Sequence, residues 1–444
     1  MPDMYIGVIQ AGGLGTRMRE LTKNNIPKPM ISLNGKPMLQ WQIESAVRYG
    51  VNEFVIIVGH LGEKIREYFG DGSFMGVRIS YITENEPLGS AGALYYLKDR
   101  ICSENFLFIF GDIMFDIDWK RMMRFHENHG GMVTVLVHPN SHPYDSDLLV
   151  LDEDSRLTEI DFKGKERDHW YENCVNAGIC ILNRNILDGF EKPGKADFEK
   201  DVLLPEIYRK SVYGYHTTEY VKDAGTLDRF REVCAEQEKG IWQKRCLENK
   251  QKCIFIDRDG TINKFRGLIS HEDEFELEEH AAEALRLIHS SGYLAIVITN
   301  QPVVARGMCG IEDVNRIHRK LQTLLGRQGA YVDDIAFCPH HPDKGYAGEN
   351  PAYKISCNCR KPSTGLIDDM AEKYNIDLEN SWMTGDSTVD IQTGVNAGMH
   401  TALVKTGQAG ADEKYAVLPE ITGEDLLDIV RQIINIDRGT IEND

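Results

Sequence analysis

The apolar run Cys253-Ile-Phe-Ile256 ends abruptly in Asp257-Arg-Asp-Gly-Thr261. Such a run reads as a buried strand, so its carboxylates stand at the strand's carboxyl end, where open α/β sheets bind ligands. Two carboxylates two residues apart, relaxed by glycine, suit a reaction that needs one nucleophile and one proton donor. A strand running into an ordinary polar turn is the alternative for this segment taken alone.

Three more segments bear on that choice. Leu294-Ala-Ile-Val-Ile298 reads as a second buried strand, ending in Thr299-Asn300-Gln301. Arg360-Lys361-Pro362 puts adjacent cations on a non-helical turn, and Trp382-Met-Thr384 leads into Gly385-Asp386-Ser387, with Asp390 one helical turn later. An attacking carboxylate, a hydroxyl, a lysine and a further acid form the set that a phosphoryl group needs. In order, these segments resemble the four motifs of haloacid-dehalogenase-type phosphatases. The resemblance implies that Asp257 attacks phosphorus and that Asp259 protonates the leaving oxygen and then activates water. Thr299 and Lys361 would hold phosphoryl oxygens. Asp257, Asp386 and the backbone carbonyl of Asp259 would hold Mg²⁺. Asp390 reads equally as a supporting acid or as an exposed helix residue.

Cys338-Pro-His340-His341 is followed by Cys357-Asn-Cys359, across a stretch rich in Pro, Gly, Asp and Lys that lacks the apolar content to order itself. Three thiols and an imidazole satisfy a closed tetrahedral zinc site, and a metal clip would order the loop. The arrangement resembles the heptose-1,7-bisphosphate phosphatases and the related histidinol phosphatases. Their spacing favours His340 over His341 beside Cys338, Cys357 and Cys359. In that group Asn300, Gln301 and Arg360 would contact substrate, and Arg306 keeps its family position. Pro302-Val303-Val304 departs from the small residues usual there.

The first half carries a different signature. Tyr5-Ile-Gly-Val-Ile9 precedes Gln10-Ala-Gly-Gly-Leu-Gly-Thr-Arg-Met18 and then Pro27-Lys28-Pro29. Glycines let backbone N–H groups approach phosphate oxygens, and Arg17 and Lys28 add charge for a triphosphate. A dinucleotide site expects the glycines to open directly into a helix, whereas a polar, proline-bearing stretch follows here. The fuller pattern resembles the sugar-1-phosphate nucleotidylyltransferases. It implies nucleotide contacts from Gly12, Gly13, Gly15, Thr16, Arg17, Gly89 and Ser90. Mg²⁺ would sit on Asp112 and Asp223, and sugar contacts would come from Asn176 and Lys165. Phe162-Lys163-Gly164-Lys165 departs from the usual Glu-Lys pair by placing glycine at the glutamate position.

At 444 residues the chain has room for two cores. Strands alternate with helical stretches, which predicts two α/β domains, each a mainly parallel sheet flanked by helices. The resemblances imply that the first is a Rossmann-like transferase domain over 1–240. They imply that the second is a capless haloacid-dehalogenase-like domain with a zinc loop over 250–444. The periodicity predicts a charged helix over 227–250, a helix over 311–325 burying Ile311, Val314, Ile317, Leu321 and Leu324, a last helix near 423–435, and a disordered polar tail. A net charge of −19 argues against nucleic acid or anionic membrane as main partners. No run of eighteen apolar residues exists, and no signal peptide precedes the first strand. With ten scattered cysteines, that favours a cytoplasmic setting.

The pairing of motifs implies two consecutive steps. A heptose 1,7-bisphosphate loses its 7-phosphate, and the resulting 1-phosphate receives a nucleotidyl group, with GTP favoured. Histidinol phosphate or another sugar as substrate, and a regulatory nucleotide-binding module in place of the transferase, are the alternatives. Oligomeric state stays open, a homo-oligomer included.

Overall fold

The structure is a computed structural model. It describes residues 5–439, except Leu14, Asn24, Lys165 and the side chain of Thr16. The chain forms two compact units. One comprises residues up to His138, Asp147–Phe162 and Val175–Cys246. The other comprises Leu247 onward and also takes in two short excursions of the first half, Pro139–Ser146 and Lys163–Cys174.

In the first unit, β1 (Ile6–Gln10), β2 (Glu53–Val58), β3 (Arg78–Thr83) and β4 (Asn105–Phe110) form the parallel core of a nine-stranded sheet in the order β4-β1-β2-β3. The β-branched and aromatic side chains of β1, β2 and β4 are mostly buried on both faces, as parallel strands under helices require. Helix α1 (Met38–Val47) covers one face through Leu39, Ile43 and Ala46, one stripe at helical spacing. Leu39 and Ile43 each contribute about 1.5–3 kcal/mol. Truncating Ile43 to alanine would cost roughly 2–5 kcal/mol.

This sheet is mixed. β9 (Val175–Asn183) runs antiparallel to β4 and extends the sheet beyond its parallel core. A separate antiparallel pair, β5 (Ile113–Asp116) with β11 (Tyr220–Asp223), sets Asp223 opposite Ile113, and the Ala224 N–H donates to the Asp112 carbonyl at 2.9 Å. Two acids far apart in sequence thus reach one edge.

The second unit holds a six-stranded, wholly parallel sheet. Its order is β14 (Asp334–Cys338), β13 (Leu294–Asn300), β12 (Cys253–Ile256), β15 (Trp382–Gly385), β16 (His400–Val404) and β17 (Ile421–Gly423). Helix α6 (Ile311–Arg327) buries Val314, Ile317 and Leu321 fully, while Ile311 and Leu324 pack at the margin. The excursion Lys163–Cys174 lies along α6: the Tyr171 N–H donates to Thr323 Oγ1 at 2.9 Å and the Asn173 N–H to Gln322 Oε1 at 2.8 Å.

Two helix expectations are corrected. The stretch 227–250 is not one helix but α4 (Leu227–Glu238) and a short turn of helix, Ile241–Arg245, broken at Gly240, whose φ of 70° leaves the helical region. The last helix is α9 (Leu426–Asp437). It starts at the Asp425 cap, because Gly423 is spent in β17. The tail from 440 lies outside the described residues. Among the described residues no helix is long and apolar enough to cross a membrane.

Candidate active sites

In the second unit, three strands deliver the acidic cluster and its neighbours to one sheet edge. β12 ends just before Asp257, β13 carries Thr299 as its next-to-last residue, and β15 ends just before Asp386. Carboxylate oxygens of Asp257, Asp386 and Asp390 lie within 4.8 Å of one another, all three residues buried. Lys361 Nζ stands between two of them, 2.8 Å from Asp257 and 2.5 Å from Asp390. Burial raises Asp257 to about 7 against the pull of Lys361, and burial with two neighbouring carboxylates raises Asp386 to about 8. Burial disfavours the Lys361 ammonium, yet Asp257 and Asp390 outweigh it and hold the group above its ordinary range. Three acids against one lysine leave the pocket short of positive charge. The donor set fits a hard, oxygen-preferring cation such as Mg²⁺.

The backbone is shaped around Asp386. A Cβ at Gly260 would meet its Oδ2 at 2.3 Å and one at Gly407 at 2.1 Å, and both glycines take positive φ. The Gln408 N–H donates to the same carboxylate at 2.7 Å. Asp390 is 1 % exposed, which overturns the exposed-acid reading. Its carboxylate accepts from the Ser387 N–H and hydroxyl at the start of α8 (Thr388–Asn396), and its other oxygen takes Lys361.

Asp259 points elsewhere. Its side chain accepts from the buried Arg258 guanidinium, from Asn263 and, at 2.8 Å, from Gln301 Nε2, which also donates to Thr299 Oγ1 at 3.0 Å. Arg258 is steadied in turn by His318 on α6, 3.2 Å away. Asn300 grips the Lys361 backbone through both ends of its amide. Val303 and Val304 are buried with Val314 in a small cluster, so that loop anchors itself through apolar side chains.

Cys338, His340, Cys357 and Cys359 converge. Their sulfurs and His340 Nδ1 stand 3.2–3.7 Å from one another in the contacts they make. Zinc–sulfur bonds of about 2.3 Å give tetrahedral edges of about 3.8 Å, so the set fits a closed zinc site. All ten cysteines are free.

In the first unit the glycine-rich turn after β1 borders a cavity of about 410 Å³. Gly13, Gly15, Arg17 and Lys28 line it on one side. Gly89, Ser90, Asp112 and Asp223 line it elsewhere. Lys28 Nζ is 2.8 Å from Asp112, and Arg229 is 2.7 Å from Asp223. Asp223 Oδ1 is buried with no hydrogen-bond partner, an open acceptor that fits a cation shared with Asp112.

Comparisons with known proteins agree with both geometries. The nucleotidyl transferase family model matches residues 6–240, over half of the chain, and a HAD-hydrolase-like model matches 358–429. The D-glycero-alpha-D-manno-heptose 1-phosphate guanylyltransferase of Aneurinibacillus thermoaerophilus is 30 % identical over 52 % of this chain and 96 % of its own. The D-glycero-beta-D-manno-heptose-1,7-bisphosphate 7-phosphatase of Rhodopseudomonas palustris is 37 % identical over 34 % of this chain and 81 % of its own. The chain belongs to the nucleotidyl transferases in its first half and to the HAD-like phosphatases in its second. It is a bifunctional enzyme. A solved D,D-heptose 1,7-bisphosphate phosphatase from B. bronchiseptica, complexed with magnesium and phosphate, is 32 % identical over 42 % of this chain and 99 % of that one, with a TM-score of 0.37.

Not every expected residue falls in place within the transferase unit. Gly12 and Glu84 are both absent from the cavity lining, and a Cβ on Gly12 would meet Glu84 Oε2 at 2.3 Å. Asn176 is absent from the cavity lining. Its amide donates to Glu199 and its carbonyl oxygen accepts from the Gly178 N–H. Lys165 and the Thr16 side chain lie outside the described residues. Two residues were missed, Glu84 and Gln10. Gln10 Nε2 donates to Glu84 at 3.4 Å, and Glu84 Oε1 and Gln10 Oε1 are buried without partners. Burial raises the Glu84 carboxyl. The only signal was its place at the end of β3, two residues before the loop that begins at Glu86. In the phosphatase unit the missed residues are Arg258, Asn263 and His318, which together with Gln301 fix Asp259.

Proposed function

We propose that this enzyme removes the 7-phosphate of a heptose 1,7-bisphosphate and joins the resulting heptose 1-phosphate to GMP from GTP, releasing pyrophosphate. The observation that carries the first step is the buried Asp257–Lys361–Asp390 arrangement. Lys361 opposes the burial that raises the Asp257 carboxyl and offers its remaining N–H bond to a phosphoryl oxygen. Asp257 Oδ attacks phosphorus and the sugar C7 oxygen leaves with a proton from Asp259. Asp259 then takes a proton from water, whose oxygen attacks the aspartyl phosphate and frees inorganic phosphate. Mg²⁺, held by Asp257 and Asp386, would supply charge neutralisation at the phosphoryl oxygens. Thr299 and the N–H groups after Asp257 orient the group. Cys338, His340, Cys357 and Cys359 would hold Zn²⁺ as a structural clip for the loop between them.

The transfer needs no protein nucleophile, since the sugar 1-phosphate is already an anion. Its oxygen attacks the α-phosphorus and pyrophosphate departs. Arg17, Lys28 and the glycine-rich backbone gather the triphosphate, and Asp112 and Asp223 would share Mg²⁺. Glu84, bonded to the cavity-lining Gln10, supports guanine. A buried carboxylate with an open oxygen can accept from both the ring N–H and the amino group of guanine, a donor pair that adenine and the pyrimidines do not present. A cytoplasmic setting suits these phosphorylated substrates.

The test is to incubate the purified chain with heptose 1,7-bisphosphate, GTP and Mg²⁺ and to identify products by mass. Phosphate, pyrophosphate and a GDP-heptose are expected. Phosphate release with no nucleotide sugar from any triphosphate would overturn the second half of the reading.

A further inference from the structure

A chain of polar contacts runs from helix α6 to the proposed proton donor. It begins at His318, which is buried on α6. The imidazole meets the ring of Phe337 on β14 edge-to-face, with centroids 5.2 Å apart, and this packing fixes its plane. His318 Nε2 lies 3.2 Å from Arg258 Nη1. A guanidinium only donates, so Nε2 accepts and the imidazole is neutral, with its proton on Nδ1. Burial, and then the charges of Arg258 and Arg319, hold the ring well below its ordinary value, in keeping with that role. Arg258 spends its other two nitrogens on Asp259. Nε reaches Oδ1 at 3.2 Å, and Nη2 reaches Oδ1 at 3.0 Å and Oδ2 at 2.8 Å.

A guanidinium is rigid and planar, so a contact at one nitrogen sets the direction of the whole fork. His318 therefore aims the two nitrogens that grip Asp259. The Asp259 side chain is 17 % exposed while that of Arg258 is fully buried, so only the far end of the chain can meet substrate. On its other side Asp259 accepts from Gln301, which is tied to Thr299. Resting on the phosphatase reading above, we infer that His318 is a positioning residue for proton transfer: through Arg258 it sets the direction of the Asp259 carboxyl, so that the proton meets the sugar oxygen as its bond to phosphorus breaks. The proton passes from Asp259 to that oxygen, which keeps the electron pair of the broken P–O bond. His318 and Arg258 exchange no proton.

The experiment uses the full chain loaded with Zn²⁺ and Mg²⁺ and compares two phosphate esters. Heptose 1,7-bisphosphate expels a sugar alkoxide, which needs a proton. p-Nitrophenyl phosphate expels a phenolate that is stable at neutral pH and needs none. A misdirected general acid forfeits part of the roughly 10²–10⁴-fold that such a group supplies, so His318→Leu should lower kcat on the heptose ester by about ten- to thirty-fold with KM little changed. Release of nitrophenolate in a single turnover should stay within about two-fold of wild type. His318→Gln, whose amide oxygen can accept from Nη1, should restore most of the lost kcat. Should the leucine variant fail to fold, Arg258→Lys keeps the charge without the fork and should show the same selective loss. Equal losses on both esters would overturn the positioning role, because a loosened fold slows both, and so would an unchanged kcat in His318→Leu. A wild type that releases no phosphate from the heptose ester would overturn the phosphatase reading itself, and the positioning role with it.

Discussion

Lys361 Nζ lies 2.8 Å from the Asp257 carboxylate, in a pocket that leaves the lysine 3 % exposed. The contact opposes the burial that raises the proposed nucleophile's carboxyl to about 7. Lys361→Met should therefore lower kcat for phosphate release by roughly 10²–10³-fold, measured as phosphate liberated under saturating substrate. A loss below ten-fold would contradict this role.

The acid cluster also predicts a pH dependence. Asp257 at about 7 and Asp386 at about 8 are raised, mainly by burial. A carboxyl raised in the folded state contributes stability that is fully present below its unfolded value, about 4, and lost as pH rises through the folded value. The metal-free chain should lose this stability up to pH of about 8, where the pocket is fully charged. Mg²⁺ binds the charged form, so the Tm increase it gives over a chelator-treated sample should be larger at pH 8.5 than at pH 6. An equal or smaller increase at pH 8.5 would contradict the cluster as a cation site.

Zinc should be structural rather than catalytic. Cys357→Ser opens the set of four donors that stand within 4.8 Å of one another. The zinc content of the full chain, by elemental analysis, should fall to about a tenth, with phosphatase activity lost alongside it. Nucleotidyl transfer from pre-made heptose 1-phosphate should persist in the same sample.

Glu84 makes base choice testable. Glu84→Gln replaces one acceptor with a donor behind the glycine-rich turn. The ratio of kcat/KM for GTP over other triphosphates should fall by about 10–100-fold, read by pyrophosphate release. An unchanged ratio would remove Glu84 from base selection.

What the sequence disclosed follows from how the chemistry is built. Asp257, Thr299, Lys361 and Asp386 stand at strand ends or tight turns, where short apolar runs announce them, and the four zinc donors sit at spacings that few other roles require. Residues whose position depends on distant partners were hidden. Asp390 reads as an exposed helix acid until Lys361 and the Ser387 cap draw it inward. Glu84 carries no motif, and only its packing against Gly12 sets it apart. Arg258 looks like a spacer between two acids, yet it is fully buried and grips the second of them. The antiparallel share of the first sheet, and the excursion that pairs with Thr323, depend on contacts 70 or more residues apart in sequence. Local periodicity does not report such contacts.

The central claim is that one chain carries two independent phosphate chemistries. It is tested most directly by Asp257→Asn and Asp112→Ala, each assayed for both products by mass spectrometry. Asp257→Asn should abolish phosphate release from heptose 1,7-bisphosphate yet convert pre-made heptose 1-phosphate and GTP to GDP-heptose at the wild-type rate, and Asp112→Ala should do the reverse. Loss of both activities in either folded variant would contradict the account.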